Sequence, residues 1–265
     1  MSKPELRIFS NLARTGGTLV SRCIGSMDGV ALLSEIHPVG SLVSDINILN
    51  QAVNWYQLFR SGEIPRDKSF TFDEITMLIA RALDKKGLQL VIRDWVHLDF
   101  MAVPFIDKPY YHSRLVEQLE KDFTIIQYHL VRHPVPQWIS TNRIQIIHGK
   151  LSLEQYLEGY YRYALSCLDN GYVRYEDFSV EPEKKMQQIC EHLQINYDPG
   201  FMQKWSGYSN ITGDVYGEKN QPKYSYIKPV VLPEVDARFY EQLHRCEYYT
   251  KALELLGYDD VQVKP

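Results

Sequence analysis

Short apolar runs alternate with longer amphipathic stretches along the chain. The runs are rich in Leu, Ile, Val and Phe, a pattern typical of strands that are buried on both faces of a parallel sheet. They predict strands at Leu6–Ser10, Val30–Leu33, Leu88–Arg93, Phe123–Val131 and Tyr172–Tyr175. The amphipathic stretches predict helices that include Gly17–Met27, Asp73–Lys85, Ser113–Lys121, Val135–His148, Leu153–Asp169, Glu183–Leu193 and Glu234–Leu256. This alternation indicates an α/β fold, a parallel sheet with helices on both faces.

The 265 residues contain no internal repeat and no linker-like stretch, so we expect a single domain over residues 1–265. The formal net charge of −4, without blocks of like charge, argues against a broad nucleic-acid surface. The start MSKPELR does not resemble a signal peptide, and no apolar run approaches the ~18 residues of a membrane span. Four widely separated cysteines fit reduced thiols. We therefore expect a cytoplasmic protein.

The segment Leu6–Cys23, LRIFSNLARTGGTLVSRC, carries the strongest chemical signal in the chain. Its pattern is strand, glycine turn and helix, a layout that directs backbone N–H groups and a helix dipole at an anion. The turn supplies one cationic donor, two hydroxyl donors and two glycines that let an anion approach: Arg14, Thr15, Thr18, Gly16 and Gly17. The turn therefore predicts a site for a phosphate or a similar group.

The turn differs from the ATPase phosphate loop. GxxxxGK[ST] requires a lysine before the final Ser/Thr, and here Gly17 precedes Thr18. A P-loop nucleotide kinase stays an alternative, although the sequence lacks both that lysine and an obvious carboxylate for Mg²⁺. A tight turn with an incidental arginine is the simpler interpretation of this segment.

A second motif, TIIQYHLVRHPVPQWIS, places Arg132 at the carboxyl end of a nearly continuous apolar strand. Ser140 lies about two turns into the helix that Pro134 is suited to begin. A strand-end arginine and a helix-borne hydroxyl can bind one dianionic phosphate from two directions. The alternative for Arg132 is an ordinary ion pair at a strand end.

Taken together, the two motifs resemble those of the sulfotransferases that use 3′-phosphoadenosine 5′-phosphosulfate (PAPS). A third segment, YVRYEDFSVEPEKKMQQICEHLQINYDPGF, is similar to the strand-to-helix segment of that family, so the resemblance runs with gaps from Leu6 to Phe201. It implies a P-loop-like sulfotransferase fold and transfer of a sulfuryl group from PAPS to a hydroxyl or amine. It also implies that the 5′-phosphosulfate is held by Arg14, Thr15, Gly16, Gly17, Thr18 and Leu19, and the 3′-phosphate by Arg132 and Ser140.

Some positions depart from the family pattern. Ala13 stands where proline is common, Gly17 where Ser or Thr is frequent, and His133 where aspartate is usual. We interpret Tyr175, Glu176 and Asp177 as structural, with turn and cap roles. Near the C-terminus, SYIKPVVLPEV resembles the lysine segment of tyrosylprotein sulfotransferases, which implies that Lys228 contacts the phosphosulfate.

Sulfuryl transfer parallels phosphoryl transfer, so the protein must stabilise charge, here with Arg14, and supply a general base. Glu35 lies 21 residues beyond Arg14, a spacing similar to that of the catalytic glutamate of tyrosylprotein sulfotransferases, which carry an arginine where His37 stands. Glu35 and His37 are therefore both candidates for the base. The alternatives are a surface carboxylate for Glu35 and a solvated loop histidine for His37. Cytosolic small-molecule sulfotransferases carry their catalytic histidine near the segment VIRDWVH, so Asp94 and His97 are rival bases. The K-T-H pattern is absent there, and a packed histidine is the alternative for His97.

We expect no metal, because no carboxylate or histidine cluster with metal-ligand spacing is evident. The acceptor stays open between small molecules and peptide tyrosines, as does the oligomeric state. Residues Ser44–Arg66 and Asp99–Ser113 are expected to shape the pocket for the acceptor. The aperiodic stretch Gly207–Pro229 is expected to be functional or disordered. A sulfotransferase-like protein that binds the nucleotide without turnover is a further alternative.

Overall fold

A parallel sheet forms the centre of the molecule. The computed structural model describes residues 3–39, 46–59, 70–213 and 225–264. In this part of the chain the sheet has the strand order β2-β3-β1-β4-β5, and every neighbouring pair is parallel. The strands are β1 (Glu5–Asn11), β2 (Val30–Ile36), β3 (Gln89–Asp94), β4 (Thr124–Val131) and β5 (Tyr172–Arg174). All the predicted strands are confirmed, with small shifts at their ends.

Helices connect and cover the strands. They are α1 (Gly17–Gly25), α2 (Ile48–Tyr56), α3 (Phe72–Asp84), α4 (His97–Met101), α5 (Arg114–Leu119), α6 (Pro134–Thr141), α7 (Leu153–Asn170), α8 (Tyr175–Val180), α9 (Pro182–Leu193), α10 (Phe201–Lys204), α11 (Ala237–His244) and α12 (Glu247–Leu256). The single helix predicted over Glu234–Leu256 is wrong, because Cys246 adopts an extended backbone and separates α11 from α12. The helix predicted over Val135–His148 ends early, since the Asn142 carbonyl bonds to His148 Nδ1 in the following turn.

Apolar side chains cover both faces of the sheet, as the continuous apolar runs predict. On β1, Phe9 packs with α1 and α9, whereas Leu6 and Ile8 point to the opposite face and pack with α2, α3 and α5. A further cluster on that second side joins α4, α6, α7 and α12. The expected parallel sheet with helices on both faces is confirmed.

Helix α2, which the sequence analysis did not predict, closes the β2 edge of the sheet. Tyr56 Oη bonds to both the N–H and the C=O of Leu32, at 2.7 and 2.9 Å, and the Gln51 amide bonds to both backbone groups of Ser34 at 2.7 Å. These side chains satisfy backbone groups that an edge strand leaves unpaired. The buried side of α2 therefore includes polar residues, which weakens the apolar periodicity by which a helix is recognised.

The five strands end at the same edge of the sheet, so the residues that follow them come together there. This edge carries the loop after β1, Glu35 of β2, Arg93 of β3, Arg132 after β4 and Tyr175 after β5. None of the described helices is both long and apolar enough to cross a bilayer.

Candidate active site

The loop between β1 and α1 is packed so closely that its two glycines leave no room for a side chain. Gly16 has φ +89°, and a Cβ built on it would lie 2.2 Å from Cε2 of Tyr175. A Cβ on Gly17 would lie 2.3 Å from Nδ2 of Asn11. Gly16 is the N-cap of α1 and has no side chain that could bond the first-turn amides, so no capping side chain competes with a ligand for them.

The interior of this loop is held by its own polar groups. The Thr15 hydroxyl is buried and donates to the carbonyl of Leu12, which also accepts from Asn11 Nδ2 at 2.9 Å. The hydroxyl of Thr15 therefore stabilises the loop, whereas the sequence suggested it as a donor to the anion. Thr18 and Leu19, the next predicted contacts, are half-buried at the start of α1.

Three predicted anion-binding residues meet at this loop although they come from separate motifs. Arg14 has φ +64°, and its Nε donates to Ser140 Oγ at 2.8 Å. Arg132 Nη1 donates to the Arg14 carbonyl at 3.0 Å. The Arg132 guanidinium also lies over the ring of Tyr175, 5.4 Å from its centroid. Its Nε is buried without a hydrogen-bond partner among the described residues, so an anion would satisfy a donor that the protein leaves unpaired.

The residues after β5 have different roles. The Glu176 carboxylate accepts from the backbone N–H of His133 at 3.0 Å and from Tyr258 Oη at 2.9 Å. Asp177 pairs with Arg174 at 3.0 Å, so both acidic residues make structural contacts, as the sequence suggested. Tyr175 does more than shape a turn, because its ring covers Gly16 and contacts Arg132.

The structure explains why a histidine can stand at position 133, where sulfotransferases usually have aspartate. Its Nδ1 accepts from the N–H of Val135 at 3.2 Å and so caps α6, as an aspartate could. Its Nε2 lies 3.0 Å from the carbonyl of Asp259. Burial lowers the pKa of His133 to about 4, so the ring is neutral and its Nε2–H donates to this carbonyl. The histidine therefore preserves the cap that orients the helix bearing Ser140.

The backbone around Glu35 is irregular in a way that changes where its side chain points. Glu35 has φ +54°, which is uncommon for a residue other than glycine, and the β2–β3 register shifts between Leu33 and Ile36. Bulges of this kind redirect side chains and are frequent beside active sites. The Glu35 carboxylate lies 3.4 Å from Arg93 Nη2, and its side chain is 17% exposed. Glu35 is therefore a partly accessible carboxylate that the fold holds at the same edge as the glycine loop.

The other histidine candidates are buried. His37 is 1% exposed, which makes its interpretation as a solvated loop residue wrong. Its Nδ1 accepts from the N–H of Val39 at 3.1 Å, so its Nε2 carries the hydrogen that bonds Asp99 at 3.0 Å. Asp99 accepts in turn from the N–H of Arg114. Both nitrogens of His37 are thus committed to a structural network.

His97 is 2% exposed, and neither ring nitrogen has a partner among the described residues. Burial lowers its pKa to about 4, so the ring is neutral. These features match a packed histidine.

Asp94 is buried between two hydroxyl donors. Ser113 Oγ and Ser10 Oγ donate to its Oδ2 at 2.7 and 3.3 Å. Burial first, and the nearby charge of Asp99 second, raise the pKa of Asp94 to about 8. The group is therefore mostly protonated at neutral pH and is not a ready acceptor of a proton.

The raised pKa of Asp94 predicts a pH-dependent cost to stability. Its unfolded pKa is about 3.9, so between that pH and about 8 the unfolded chain ionises first and wild-type stability falls as pH rises. Asn in its place cannot ionise and keeps an acceptor for both hydroxyls. The melting temperature of Asp94→Asn relative to wild type should rise from pH 5 to pH 8 and level off above. A constant difference over this range would contradict the buried neutral carboxyl.

Lys228 is exposed and follows Ile227, which packs against the same apolar cluster as Leu19 and Tyr175. The regions expected to shape an acceptor pocket are described only in part: residues 44–45 and 60–66, like 214–224 of the aperiodic stretch, lie outside the described residues. Among the described residues, no group of three or more His, Cys, Asp or Glu side chains could hold a metal ion.

The fold brings two further residues into the site, Arg93 and Tyr175, for which no binding or catalytic role was predicted. In the sequence, Arg93 is only the last residue of a predicted strand, and Tyr175 only a residue with an expected turn role. The available signal for both was their position, since each lies at the carboxyl end of a parallel strand, where ligands bind in open α/β sheets.

The sequence matches the profile of no protein family, and no curated protein is similar enough in sequence to be identified as a relative. Solved structures, in contrast, share its fold. The sulfotransferase domain from the curacin biosynthetic pathway superposes with a TM-score of 0.66, over 98% of this chain and 99% of that chain, at 13% identity. The sulfotransferase domain from the Synechococcus PCC 7002 olefin synthase gives a TM-score of 0.59, over 98% and 97%, at 17% identity. The chain therefore has the α/β sulfotransferase fold that the motifs implied.

Proposed function

We propose that this protein is a sulfotransferase that moves a sulfuryl group from PAPS to a hydroxyl or amine acceptor. The observation that carries the proposal is the convergence of Arg14, Arg132 and Ser140 on the glycine loop, in a chain with the sulfotransferase fold. Two cationic side chains, a hydroxyl and a helix N-terminus then face one region, which suits a nucleotide with two anionic groups.

The residues at this edge fit such a nucleotide. Gly16 and Gly17 let the Tyr175 ring and the Asn11 amide pack directly on the loop backbone, and the 5′-phosphosulfate would approach the amides from Gly16 to Leu19. The 3′-phosphate would bind Arg132, whose buried Nε lacks a partner among the described residues, and Ser140. Lys228 is a further candidate for the phosphosulfate. All of these residues belong to what we propose is one domain over 1–265.

The proposed chemistry is an in-line displacement at sulfur with a loose transition state. A sulfuryl group carries less charge than a phosphoryl group, so protein donors alone can stabilise the charge that develops in the transition state. Arg14 and the loop amides would supply these donors. Glu35 would accept the proton of the acceptor hydroxyl or amine while the acceptor's oxygen or nitrogen forms its bond to sulfur. The sulfur–oxygen bond to the nucleotide breaks, and the desulfated nucleotide, 3′-phosphoadenosine 5′-phosphate (PAP), leaves.

Thermal unfolding with PAP, ATP and AMP tests the nucleotide. A specific ligand at ~100 times its dissociation constant stabilises the folded state by about 2.7 kcal/mol, and we expect that effect from PAP alone. Stabilisation by ATP alone would favour a nucleotide kinase. PAP binding without sulfuryl transfer to any of a panel of phenols, alcohols and amines would identify a nucleotide-binding protein without turnover.

Replacing Arg132 with alanine should weaken PAP binding by ~10²-fold or more, because a charge-assisted contact to the 3′-phosphate is lost in a largely buried place. Calorimetric titration measures the effect. Adenosine 5′-phosphosulfate, which lacks the 3′-phosphate, is the matched control and should lose much less affinity. Equal losses for both nucleotides would show that Arg132 does not bind the 3′-phosphate.

A further inference from the structure

Arg93 connects Glu35 to the strand that leads into the glycine loop. It is 5% exposed, and its Nε donates to Asn11 Oδ1 at 3.1 Å, at the end of β1. Its Nη2 lies 3.4 Å from Glu35 Oε1 on β2. One rigid, planar cation therefore spans three neighbouring strands, and its fork fixes the distance between the loop and the carboxylate.

The same arginine also contacts the chain that follows α10. Its Nη1 donates to the Thr212 carbonyl at 3.2 Å, and the N–H of Thr212 donates to Ser34 Oγ at 3.2 Å. The next residue, Gly213, has φ +91°, and a Cβ on it would lie 2.6 Å from Glu35 Oε1. The backbone of Gly213 thus lies beside the same carboxylate oxygen that Arg93 approaches.

We infer that Arg93 and Gly213 together form a clamp that positions the Glu35 carboxylate toward the acceptor. The inference rests on the proposed function, in which Glu35 is the general base. Arg93 Nη2 lies 3.4 Å from Oε1, and the backbone of Gly213 passes so close to the same oxygen that a Cβ there would collide with it. A base held in this way retains its reactive geometry despite the bulge in its strand, and misplacement by about 1 Å can cost ~10²-fold in rate.

Gly213→Ala tests the packing side of the clamp, and Gly87→Ala is its matched control. Both glycines have positive φ, +91° and +71°, but a Cβ on Gly87 meets nothing within 4 Å. Both variants therefore carry backbone strain, and only Gly213→Ala collides with the carboxylate. We expect kcat to fall ~10²-fold in Gly213→Ala, with PAP affinity unchanged, and to stay near wild type in Gly87→Ala. Equal kcat for the two variants would overturn the inference.

A double-mutant cycle tests the arginine side. Arg93→Met should lower kcat strongly when Glu35 is present and have little further effect in Glu35→Gln, because a positioning residue acts through the group that it holds. Arg93→Lys, which keeps the charge and loses the planar fork, should restore part of kcat. Equal effects of Arg93→Met in both backgrounds would mean that Arg93 acts independently of Glu35, and the clamp would be wrong.

Crystal structures of Gly213→Ala and Gly87→Ala separate failure of the clamp from failure of the proposed function. The clamp predicts that the Glu35 carboxylate moves away from Arg93 only in Gly213→Ala. An unmoved carboxylate would refute the clamp whatever the activity. A moved carboxylate in a protein that transfers no sulfuryl group would support the clamp and refute the proposed function instead.

Discussion

Replacing Glu35 with glutamine should lower turnover by ~10²- to 10⁴-fold while PAP binds as tightly as before. Glutamine keeps the size of the side chain and its contact with Arg93 but cannot accept the acceptor's proton. The carboxylate lies at the edge where the strands end, on a residue with φ +54°, and not in the glycine loop itself. Steady-state turnover with PAPS and calorimetric PAP titration together separate these two effects.

Two variants serve as controls for the base. Asp94→Asn and His97→Ala should retain turnover, because Asp94 is a neutral buried acid and His97 is a packed, neutral ring. If Glu35→Gln stays active while one of these variants loses turnover with PAP binding intact, the base lies on the segment that follows β3.

Arg14→Ala should lower turnover by ~10²-fold or more, the usual scale for loss of a donor that stabilises transition-state charge. The structure adds a second expectation, because Arg14 Nε already bonds to Ser140 Oγ at 2.8 Å. Loss of Arg14 therefore disturbs Ser140, the proposed contact of the 3′-phosphate, and PAP affinity should fall modestly, by less than turnover. Turnover at saturating PAPS measures the first effect and PAP titration the second.

Ser140→Ala is the matched control for Arg14. It removes the same hydrogen bond but leaves the guanidinium, so it should weaken PAP binding with little effect on turnover at saturating PAPS. If Arg14→Ala and Ser140→Ala behave alike, Arg14 serves the adenosine end of the nucleotide and the glycine turn has been misinterpreted.

The strands and the glycine loop could be predicted because their signals are local. Buried parallel strands need continuous apolar runs, as in Phe123–Val131, and the tight turn needs Gly16 and Gly17 at fixed positions. The edge at which Arg14 and Arg132 meet follows from the parallel arrangement alone. The hydrogen bond from Arg14 to Ser140 then depends on α6, which His133 caps.

The surroundings of Glu35 could not be predicted because they depend on contacts between residues far apart in sequence. The pairing of Glu35 with Arg93 and the approach of Gly213 exist only after β2, β3 and the segment after α10 are assembled. The sequence also gave no sign that His37 is buried, since its partner Asp99 lies 62 residues away. The local sequence of a polar residue after a strand does not distinguish a solvated side chain from one that is buried in a hydrogen-bond network.

The most direct test of the account is a crystal structure of the protein with PAP bound. We predict that the 5′-phosphate lies within hydrogen-bond distance of the amides at Gly16–Leu19 and the 3′-phosphate within that distance of Arg132 and Ser140. The Glu35 carboxylate should face the empty space beyond the 5′-phosphate. A 3′-phosphate bound away from Arg132, or a different carboxylate or histidine facing that space, would contradict the account.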